Sequence, residues 1–343
     1  MGRPMSSLAD KLGLAIVGCG LIGQKRARIA APGLVRVCVD PDLARAERLA
    51  KECGAVACRE WQTAVTRDDV RAVVVSTPND RLAEIALGAI SAGKHVLVEK
   101  PAARNSAELA PVCAAARQAG CLVRVGFNHR YHPALRKAQE LSKAGALGEL
   151  MFVRGRYGHG GRMGYEREWR ADPAISGGGK LIDQGVHLID LARLFLGDFP
   201  NVTGEAHTYY WPMPVDDNAF MILRTAERKT AFLHVSCTEW KNLFSFEIYG
   251  RTGKLHVEGL GGSYGVERLS YYRMLPEMGP PETTIWEYPQ GDRSWADEFE
   301  EFADDIRLGR QPAANLDDAL AALRVVERVY AASNLGFGNS GVK

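Results

Sequence analysis

The chain has 343 residues, about twice the length of a typical domain, which predicts two domains that each bury a core. Its formal net charge of +2 provides no long-range attraction to nucleic acid or to an anionic membrane surface, so neither is an expected partner. The seven cysteines are scattered without a Cys-x-x-Cys pair, which argues against a disulfide framework and a zinc site and predicts a protein of the reducing cytoplasm without a metal ion.

Residues 13–127 alternate between short β-branched runs and helical patterns, which is typical of a parallel sheet with crossover helices. Helical patterns such as Asp42–Cys53 and Ser106–Ala119 separate the strands. Six strands are predicted, the third of them weak: Leu14–Val17, Leu34–Val39, Ala55–Ala57, Ala72–Ser76, His95–Val98 and Leu122–Gly126. This half is predicted to be a nucleotide-binding Rossmann domain.

The pattern changes beyond Pro133. The predicted elements are one helix, a strand near Leu150–Tyr157, a glycine-rich loop, a helix near Lys180–Leu196, strand-like runs over residues 201–272, and closing helices at Trp295–Leu308 and Leu316–Ala332. Consecutive strands without intervening helices predict a mainly antiparallel sheet. The fold class is therefore α/β, with a parallel Rossmann domain over residues 1–130 and a second α/β domain over residues 131–343.

A glycine-rich turn, Gly18-Cys19-Gly20-Leu21-Ile22-Gly23, joins the first predicted strand to a helical segment. In this context Gly18 allows the tight turn, Gly20 lets a pyrophosphate approach the backbone, and Gly23 lets the helix pack against the strand. Asp40 follows the second strand, where its carboxylate can accept hydrogen bonds from ribose hydroxyls and would repel a ribose phosphate. The pattern predicts NAD in preference to NADP. The alternative is a structural turn, with Asp40 capping the next helix.

Further motifs follow in a characteristic order: Ser76-Thr77-Pro78-Asn79, Glu99-Lys100-Pro101, and Asp183 with His187 four residues later. Together they resemble the Gfo/Idh/MocA family, named for glucose-fructose oxidoreductase, inositol dehydrogenase and a rhizopine-catabolism protein. Other agreeing stretches lie at Gly126-Phe127-Asn128 with Arg130 and Pro133, Gly177–Asp190, Glu247–Gly253 and Glu298–Pro312. The resemblance therefore covers nearly the whole chain. One departure is Leu82, where the family often has histidine, and it affects only contacts beside the cofactor.

The resemblance implies a Rossmann domain followed by an α/β domain with a large, open, mainly antiparallel sheet that binds substrate and forms oligomers. We therefore expect a homodimer or a homotetramer. It also implies hydride exchange between NAD(P) and a sugar-like or cyclitol substrate. Catalytic roles are implied for the positions that match Lys100, Asp183 and His187, with the histidine as the main acid/base.

The residues themselves suit this chemistry, because oxidising a secondary alcohol requires a base at the hydroxyl. Lys100 follows a parallel strand at the edge where such sheets bind ligands. Asp183 and His187 share one face of the predicted helix, so the histidine can take the proton while the carboxylate orients it or binds substrate. The plain alternatives are a solvated surface lysine, and a helix N-terminal acid beside a core histidine.

The predicted binding residues fall into two groups. The expected cofactor contacts are Gly18, Gly20, Leu21, Ile22, Gly23, Asp40, Thr77, Pro78, Asn79, Glu99 and Lys100. The expected substrate contacts are Asn128, Tyr157, His159, Arg162, Trp169, Arg170, Asp183 and His187. The loop over residues 158–170 suits a sugar-binding lid or a solvated surface loop, and its arginines leave a nucleotide-sugar substrate open. The run Gly177–Gly179 binds substrate hydroxyls or forms a tight helix start.

The predicted function is reversible NAD(H)-dependent hydride transfer at a ring secondary hydroxyl or ketone of a sugar, a sugar derivative or a cyclitol. One alternative is a sugar-nucleotide dehydrogenase or ketoreductase. Another enzyme retains NAD and oxidises its substrate transiently to allow an elimination. A third alternative is a catalytically silent NAD-binding regulator, but a sensor has no need of an acid/base set such as Lys100, Asp183 and His187.

Overall fold

The computed structural model describes residues 12–335. These residues divide into two compact units. The first contains residues 12–127 and Trp295–Leu320, and the second contains Asn128–Ser294 and residues 321–335. No helix in this described part of the chain has the length and apolar character needed to cross a membrane.

The first unit is built on a six-stranded parallel sheet. Its strands are β1 (Leu14–Val17), β2 (Val35–Val39), β3 (Val56–Cys58), β4 (Ala72–Val75), β5 (His95–Val98) and β6 (Val123–Val125). Its first five helices are α1 (Leu21–Ile29), α2 (Leu43–Cys53), α3 (Trp61–Val65), α4 (Asn79–Ser91) and α5 (Ser106–Ala119). The strand order β3-β2-β1-β4-β5-β6 confirms the predicted Rossmann sheet. In such a sheet the ligand lies beyond the carboxyl ends of the strands where the order reverses, at β1 and β4.

An eight-stranded sheet forms the second unit. Its strands are β7 (Leu150–Gly158), β8 (Asn201–His207), β9 (Asn218–Arg224), β10 (Thr230–Ser236), β11 (Leu243–Gly250), β12 (Gly253–Glu258), β13 (Glu267–Arg273) and β14 (Glu282–Tyr288). The order is β14-β13-β12-β11-β7-β10-β9-β8, and β7 pairs with β10 in parallel while the other neighbours are antiparallel. The predicted, mainly antiparallel sheet is confirmed. Strand β14 lies beyond the predicted strand-like runs, which end at residue 272. It was not predicted because it is mostly exposed and has few apolar residues.

The helices of this unit are α6 (Pro133–Lys143), the short α7 (Pro173–Ser176) and α8 (Val186–Leu196). A π-helical turn at Leu181–Gly185 precedes α8, so the single helix predicted near Lys180–Leu196 is two pieces. Gly155 of β7 lets α8 pack closely, since a Cβ there would lie 3.3 Å from Leu188. π-Helical turns such as the one at Leu181–Gly185 occur often at functional sites, and apolar periodicity in the sequence does not reveal them.

The chain returns to the first unit near its end, through α9 (Ser294–Leu308) and the start of α10 (Leu316–Ala332). Phe302 joins the buried apolar cluster around β1, and Glu298 lies 2.7 Å from the buried guanidinium of Arg26. The sequence analysis places these helices in a continuous second domain over residues 131–343, and the structure groups them differently. Amphipathic periodicity shows that a helix has an apolar face but not which sheet that face will cover.

Candidate functional site

The glycine turn after β1 forms a backbone surface suited to phosphate. Gly18 has a φ of +92°, and the Ser76 hydroxyl donates to its carbonyl oxygen at 2.9 Å. A Cβ on Gly23 would overlap the Gly18 carbonyl oxygen, so α1 can approach β1 only with glycine there. A Cβ on Gly20 would meet no atom within 4 Å. The tight turn expected at Gly18 and the close helix packing expected at Gly23 are therefore present. Gly20 faces open space at a helix N-terminus, and the approach of a pyrophosphate there stays a prediction.

Asp40 connects the end of β2 to this turn. Its Oδ2 accepts a hydrogen bond from the Cys19 backbone N–H at 2.9 Å, and its Oδ1 accepts one from the Asp42 N–H at 2.9 Å. The helix cap is Asp42, whose side chain accepts from the Ala44 N–H, so Asp40 is not the capping residue of α2. Each carboxylate oxygen of Asp40 has a second lone pair, which can accept a hydrogen bond from a ribose hydroxyl.

Residues after β4 supply an independent sign of a bound group. The Thr77 hydroxyl is buried and has no hydrogen-bond partner among residues 12–335. Leaving such a group unsatisfied costs about 1–3 kcal/mol, which a ligand oxygen would recover. Pro78 and buried Asn79 lead into α4, and Leu21 is 81% exposed with Ile22 half-buried beside it. This open apolar and polar surface fits a dinucleotide.

Glu99 and Lys100 follow β5, and their side chains have different surroundings. Glu99 is buried, and its carboxylate accepts a hydrogen bond from Arg26 Nε at 2.8 Å. This ion pair holds the carboxylate within the first unit, so contact between Glu99 and a cofactor stays a prediction. Lys100 is half-buried at the carboxyl edge of the parallel sheet, which is not the environment of a freely solvated lysine.

In the second unit, Asp216 holds the glycine run that precedes the π turn. Its carboxylate accepts hydrogen bonds from the Gly179 and Leu181 N–H groups, both at 2.8 Å, and from the Tyr330 hydroxyl at 2.7 Å. Burial raises the pKa of Asp216, against these hydrogen bonds. A Cβ on Gly178 would overlap Tyr330, and one on Gly179 would overlap Asp216. The glycines therefore form a tight start to the helical segment, one of the two roles predicted for them.

Asp183 lies on the π turn between two cations. Lys180 Nζ donates to its Oδ2 at 3.0 Å, and Arg170 Nε is 3.8 Å from the same oxygen. The Asp183 side chain is 21% exposed, so a ligand can reach it. Two neighbouring cations favour the ionised carboxylate, which suits Asp183 to accept hydrogen bonds rather than to take up a proton.

Lys180, which the sequence analysis did not single out, lies beside Asp183. It is 2% exposed, and its Nζ lies 3.2 Å from His159 Nε2 and 4.8 Å from the centre of the Tyr165 ring. Burial alone would lower the pKa of Lys180, but Asp183 and Tyr165 outweigh it, and the pKa is raised. Burial, helped by the charge of Lys180, lowers the pKa of His159 to about 4, so His159 is neutral at pH 7. The available signal was a lysine at the start of the predicted helix, three residues before Asp183.

His187, at the start of α8, is also buried. Its ring lies against that of His129, a second residue that the sequence analysis missed, and 6.4 Å from the ring of Tyr157. Burial raises the pKa of Tyr157 well above its usual value, so this phenol keeps its proton. The environment of His187 is thus aromatic and largely dry.

The loop after β7 contributes one cation to Asp183. Arg162 pairs with Glu168 at 2.5 Å, and Arg167 pairs with Glu166 at 3.4 Å. The guanidinium of Arg170, which also reaches Asp183, lies 4.5 Å from the centre of the Trp169 ring. Of the predicted binding residues, Arg170 therefore lies beside Asp183 and His159 lies beside Lys180, whereas Arg162 is paired with Glu168 of its own loop.

Asn128 is buried, and its amide is engaged by protein groups. Its Nδ2 donates to Ser294 Oγ at 2.9 Å, and its Oδ1 lies 3.3 Å from His129 Nδ1. Direct contact between Asn128 and substrate stays a prediction. Across the described ranges of both units, no group of three or more His, Cys, Asp or Glu side chains is arranged to hold a metal ion.

Known proteins share both halves of this arrangement. Residues 12–127 match the model of the oxidoreductase family with an NAD-binding Rossmann fold, and residues 135–256 match that of the GFO/IDH/MocA C-terminal domain. The chain is 27% identical over 327 residues, 91% of each chain, to scyllo-inositol 2-dehydrogenase (NAD(+)) of Bacillus subtilis strain 168. It is 28% identical over 231 residues to levoglucosan dehydrogenase of Pseudarthrobacter phenanthrenivorans, a match that spans 57% of that relative.

The fold is also similar to that of a solved structure. A solved structure of levoglucosan dehydrogenase, in complex with NADH and levoglucosan, superposes with a TM-score of 0.85 at 22% identity and covers 94% of this chain and 97% of that chain. The Rossmann half, with its glycine turn, and the second half, with its Asp183 to His187 segment, each match the corresponding family domain. The chain belongs to the Gfo/Idh/MocA family of NAD(P)-binding oxidoreductases.

Proposed function

We propose that this protein transfers a hydride reversibly between NAD(H) and a ring secondary hydroxyl or ketone of a sugar, a sugar derivative or a cyclitol. The observation that carries the proposal is the environment of Asp183 and His187. The Asp183 carboxylate contacts the cations of Lys180 and Arg170, and the buried His187 follows four residues later in the chain. This is an acid/base set, for which a purely structural helix has no need.

NAD supplies the hydride acceptor when it is bound. In the oxidation direction His187 takes the hydroxyl proton, and it returns that proton in the reduction direction. Lys100 donates a hydrogen bond to the reacting oxygen, which stabilises negative charge as the proton leaves. Asp183 accepts a hydrogen bond from a substrate hydroxyl or orients His187.

The charge of the loop after β7 favours a neutral substrate. Arg162, Arg167 and Arg170 are each within 4 Å of a carboxylate, from Glu168, Glu166 and Asp183 respectively. Little unbalanced positive charge is therefore left for a diphosphate, which argues against a nucleotide sugar. The names of the relatives, an inositol dehydrogenase and a levoglucosan dehydrogenase, also support a polyhydroxylated neutral ring.

We further propose a homodimer or homotetramer in the reducing cytoplasm. Exposed aromatic side chains at Phe152, Phe220 and Phe232, on three adjacent strands, support association through the sheet. The seven cysteines are all free thiols, which supports the compartment. Size-exclusion chromatography with light scattering tests the assembly.

A substrate screen tests the proposed reaction. The protein is incubated with NAD⁺, or with NADP⁺ in parallel, and with a panel of inositols, aldoses, anhydrosugars, sugar acids and nucleotide sugars, while NAD(P)H absorbance is followed. We expect NADH formation with at least one neutral polyhydroxylated ring. Cofactor binding without reduction or thermal stabilisation by any panel member would instead support a silent regulator. Substrate conversion without accumulation of NADH would support the transient-oxidation alternative.

Cofactor preference is tested at Asp40. We expect Asp40→Ser combined with Pro41→Arg to change the ratio of the Kd values for NADH and NADPH by about tenfold or more toward NADPH, because repulsion is removed and a cation is added at the ribose. Fluorescence titration measures both constants without a substrate. Asp42→Ser is the matched control, since Asp42 caps α2. An unchanged ratio in the double variant would show that Asp40 does not face the ribose.

A further inference from the structure

The ring of His129 stacks on the ring of His187, with 3.8 Å between ring centres and 21° between ring planes. Both residues are 5% exposed. We propose that His129 is a positioning residue for His187: its neutral ring holds the His187 imidazole in place and stabilises the imidazolium that forms when His187 takes the substrate's proton. This inference rests on the proposed function, in which His187 is the general base.

A series of hydrogen bonds fixes the proton on His129. Ser294 Oγ donates to Asp292 Oδ1 at 2.6 Å, so its lone pairs accept the Nδ2–H of Asn128 at 2.9 Å. This orients the Asn128 carbonyl oxygen toward His129 Nδ1, 3.3 Å away. A carbonyl oxygen can only accept, so Nδ1 of His129 carries the proton. The backbone turn at Asn128–Tyr131 thus presents a ring of defined tautomer and orientation.

The stack favours one positive charge, on His187. The π face of a neutral aromatic ring attracts a cation placed over it. Two imidazolium rings with centres 3.8 Å apart would repel each other, and burial disfavours a second charge. A neutral His129 therefore stabilises the protonated form of His187 relative to the neutral form. This is the form that the proposed reaction produces during oxidation.

Other titratable groups surround the pair from several elements. The His132 ring is 5.6 Å from that of His129 and its Nδ1 is 2.9 Å from Glu267, while Tyr157 lies 5.2 Å from His129. On the helical segment of His187 itself, Asp190 is ion-paired with Arg130 and Asp183 with Lys180. These groups stay in place when only the ring at position 129 is changed. A comparison of variants at that position therefore isolates the stacked ring.

The direct test is an NMR titration of His187 in the full chain without substrate, assigned with His187→Ala. His129→Leu removes the π face. His129→Phe is the matched control, because phenylalanine is apolar like leucine but keeps an aromatic ring at this position. We expect the His187 midpoint in His129→Leu to fall by about half to one pH unit, since the stabilised cation is lost. In His129→Phe it should stay near the wild-type value. A folded His129→Leu protein with an unchanged midpoint overturns the proposal.

Two further measurements keep the test decisive. If the leucine variant does not fold, His129→Met replaces the π face with a flexible apolar side chain, so the His187 midpoint should fall by a similar amount, and an unchanged midpoint in the folded methionine variant overturns the proposal. With a substrate in hand, the acid limb of the kcat profile should move with the NMR midpoint in His129→Leu, while KM for NAD stays constant. A shifted midpoint in a protein that oxidises no panel compound would refute the proposed function and leave the stacking effect established.

Discussion

Lys100→Met is expected to reduce kcat by about 10²–10⁴-fold while changing NADH affinity far less. Methionine keeps the length and apolar packing of the lysine and removes only the ammonium group. If this group binds the reacting oxygen, its interaction strengthens as negative charge develops on that oxygen, and its loss therefore appears in kcat. Steady-state turnover and fluorescence titration of NADH measure the two effects.

Lys94→Met is the matched control, because Lys94 lies just before β5, the strand that Lys100 follows. The Lys94 ammonium donates to the Arg67 and Val70 carbonyl oxygens at 2.9 and 2.7 Å. This variant should lose some stability and keep its turnover. Near-normal turnover in Lys100→Met would contradict a catalytic role and favour the alternative of a surface lysine, whatever the change in the Kd for NADH.

His187→Ala is expected to lower kcat by a similar factor of about 10²–10⁴, because the proton acceptor is removed. The double variant with Lys100→Met should lose less than the product of the two single losses, since both residues serve one proton transfer. Added imidazole should restore part of the activity of His187→Ala, because the substitution leaves space beside His129.

His256→Ala is the control for this change. His256 lies on β12, where its Nε2 is 2.8 Å from Ser245 Oγ. The His256→Ala variant should retain its turnover. If the loss of kcat in the double variant equals the product of the two single losses, or if His187→Ala turns over normally, His187 does not take part in the proton transfer with Lys100. Circular dichroism of each variant shows whether the buried substitution has altered the fold.

Lys180 changes how Asp183 is interpreted. From the sequence, Asp183 is one carboxylate on a helix face, suited either to orient the histidine or to bind substrate. In the structure it accepts a hydrogen bond from a buried ammonium group at 3.0 Å and lies near the Arg170 guanidinium. These cations disfavour its protonation, so the proposed division of roles has a physical basis: Asp183 accepts hydrogen bonds, and His187 moves the proton.

The sequence alone determined the Rossmann half and its cofactor turn. A parallel sheet is covered on both faces, so β1 and β4 are short continuous apolar runs that can be recognised directly in the sequence. The turn after β1 is equally local, since glycine is strongly favoured where φ is positive, as at Gly18, and is needed where a Cβ would overlap the backbone, as at Gly23. Such signals depend on neighbouring residues in the chain, which is why they can be read without the fold.

Only the tertiary structure decided which distant side chains meet. Lys180 contacts His159 across 21 positions, His129 stacks on His187 across a larger separation, and Glu298 reaches back to Arg26 of the first unit. In each pair, the neighbouring residues in the sequence do not indicate which distant residue the side chain will contact. Their contact depends on sheet register, on the π turn before α8 and on which face a helix buries, and these follow from packing of the whole unit rather than from any local pattern.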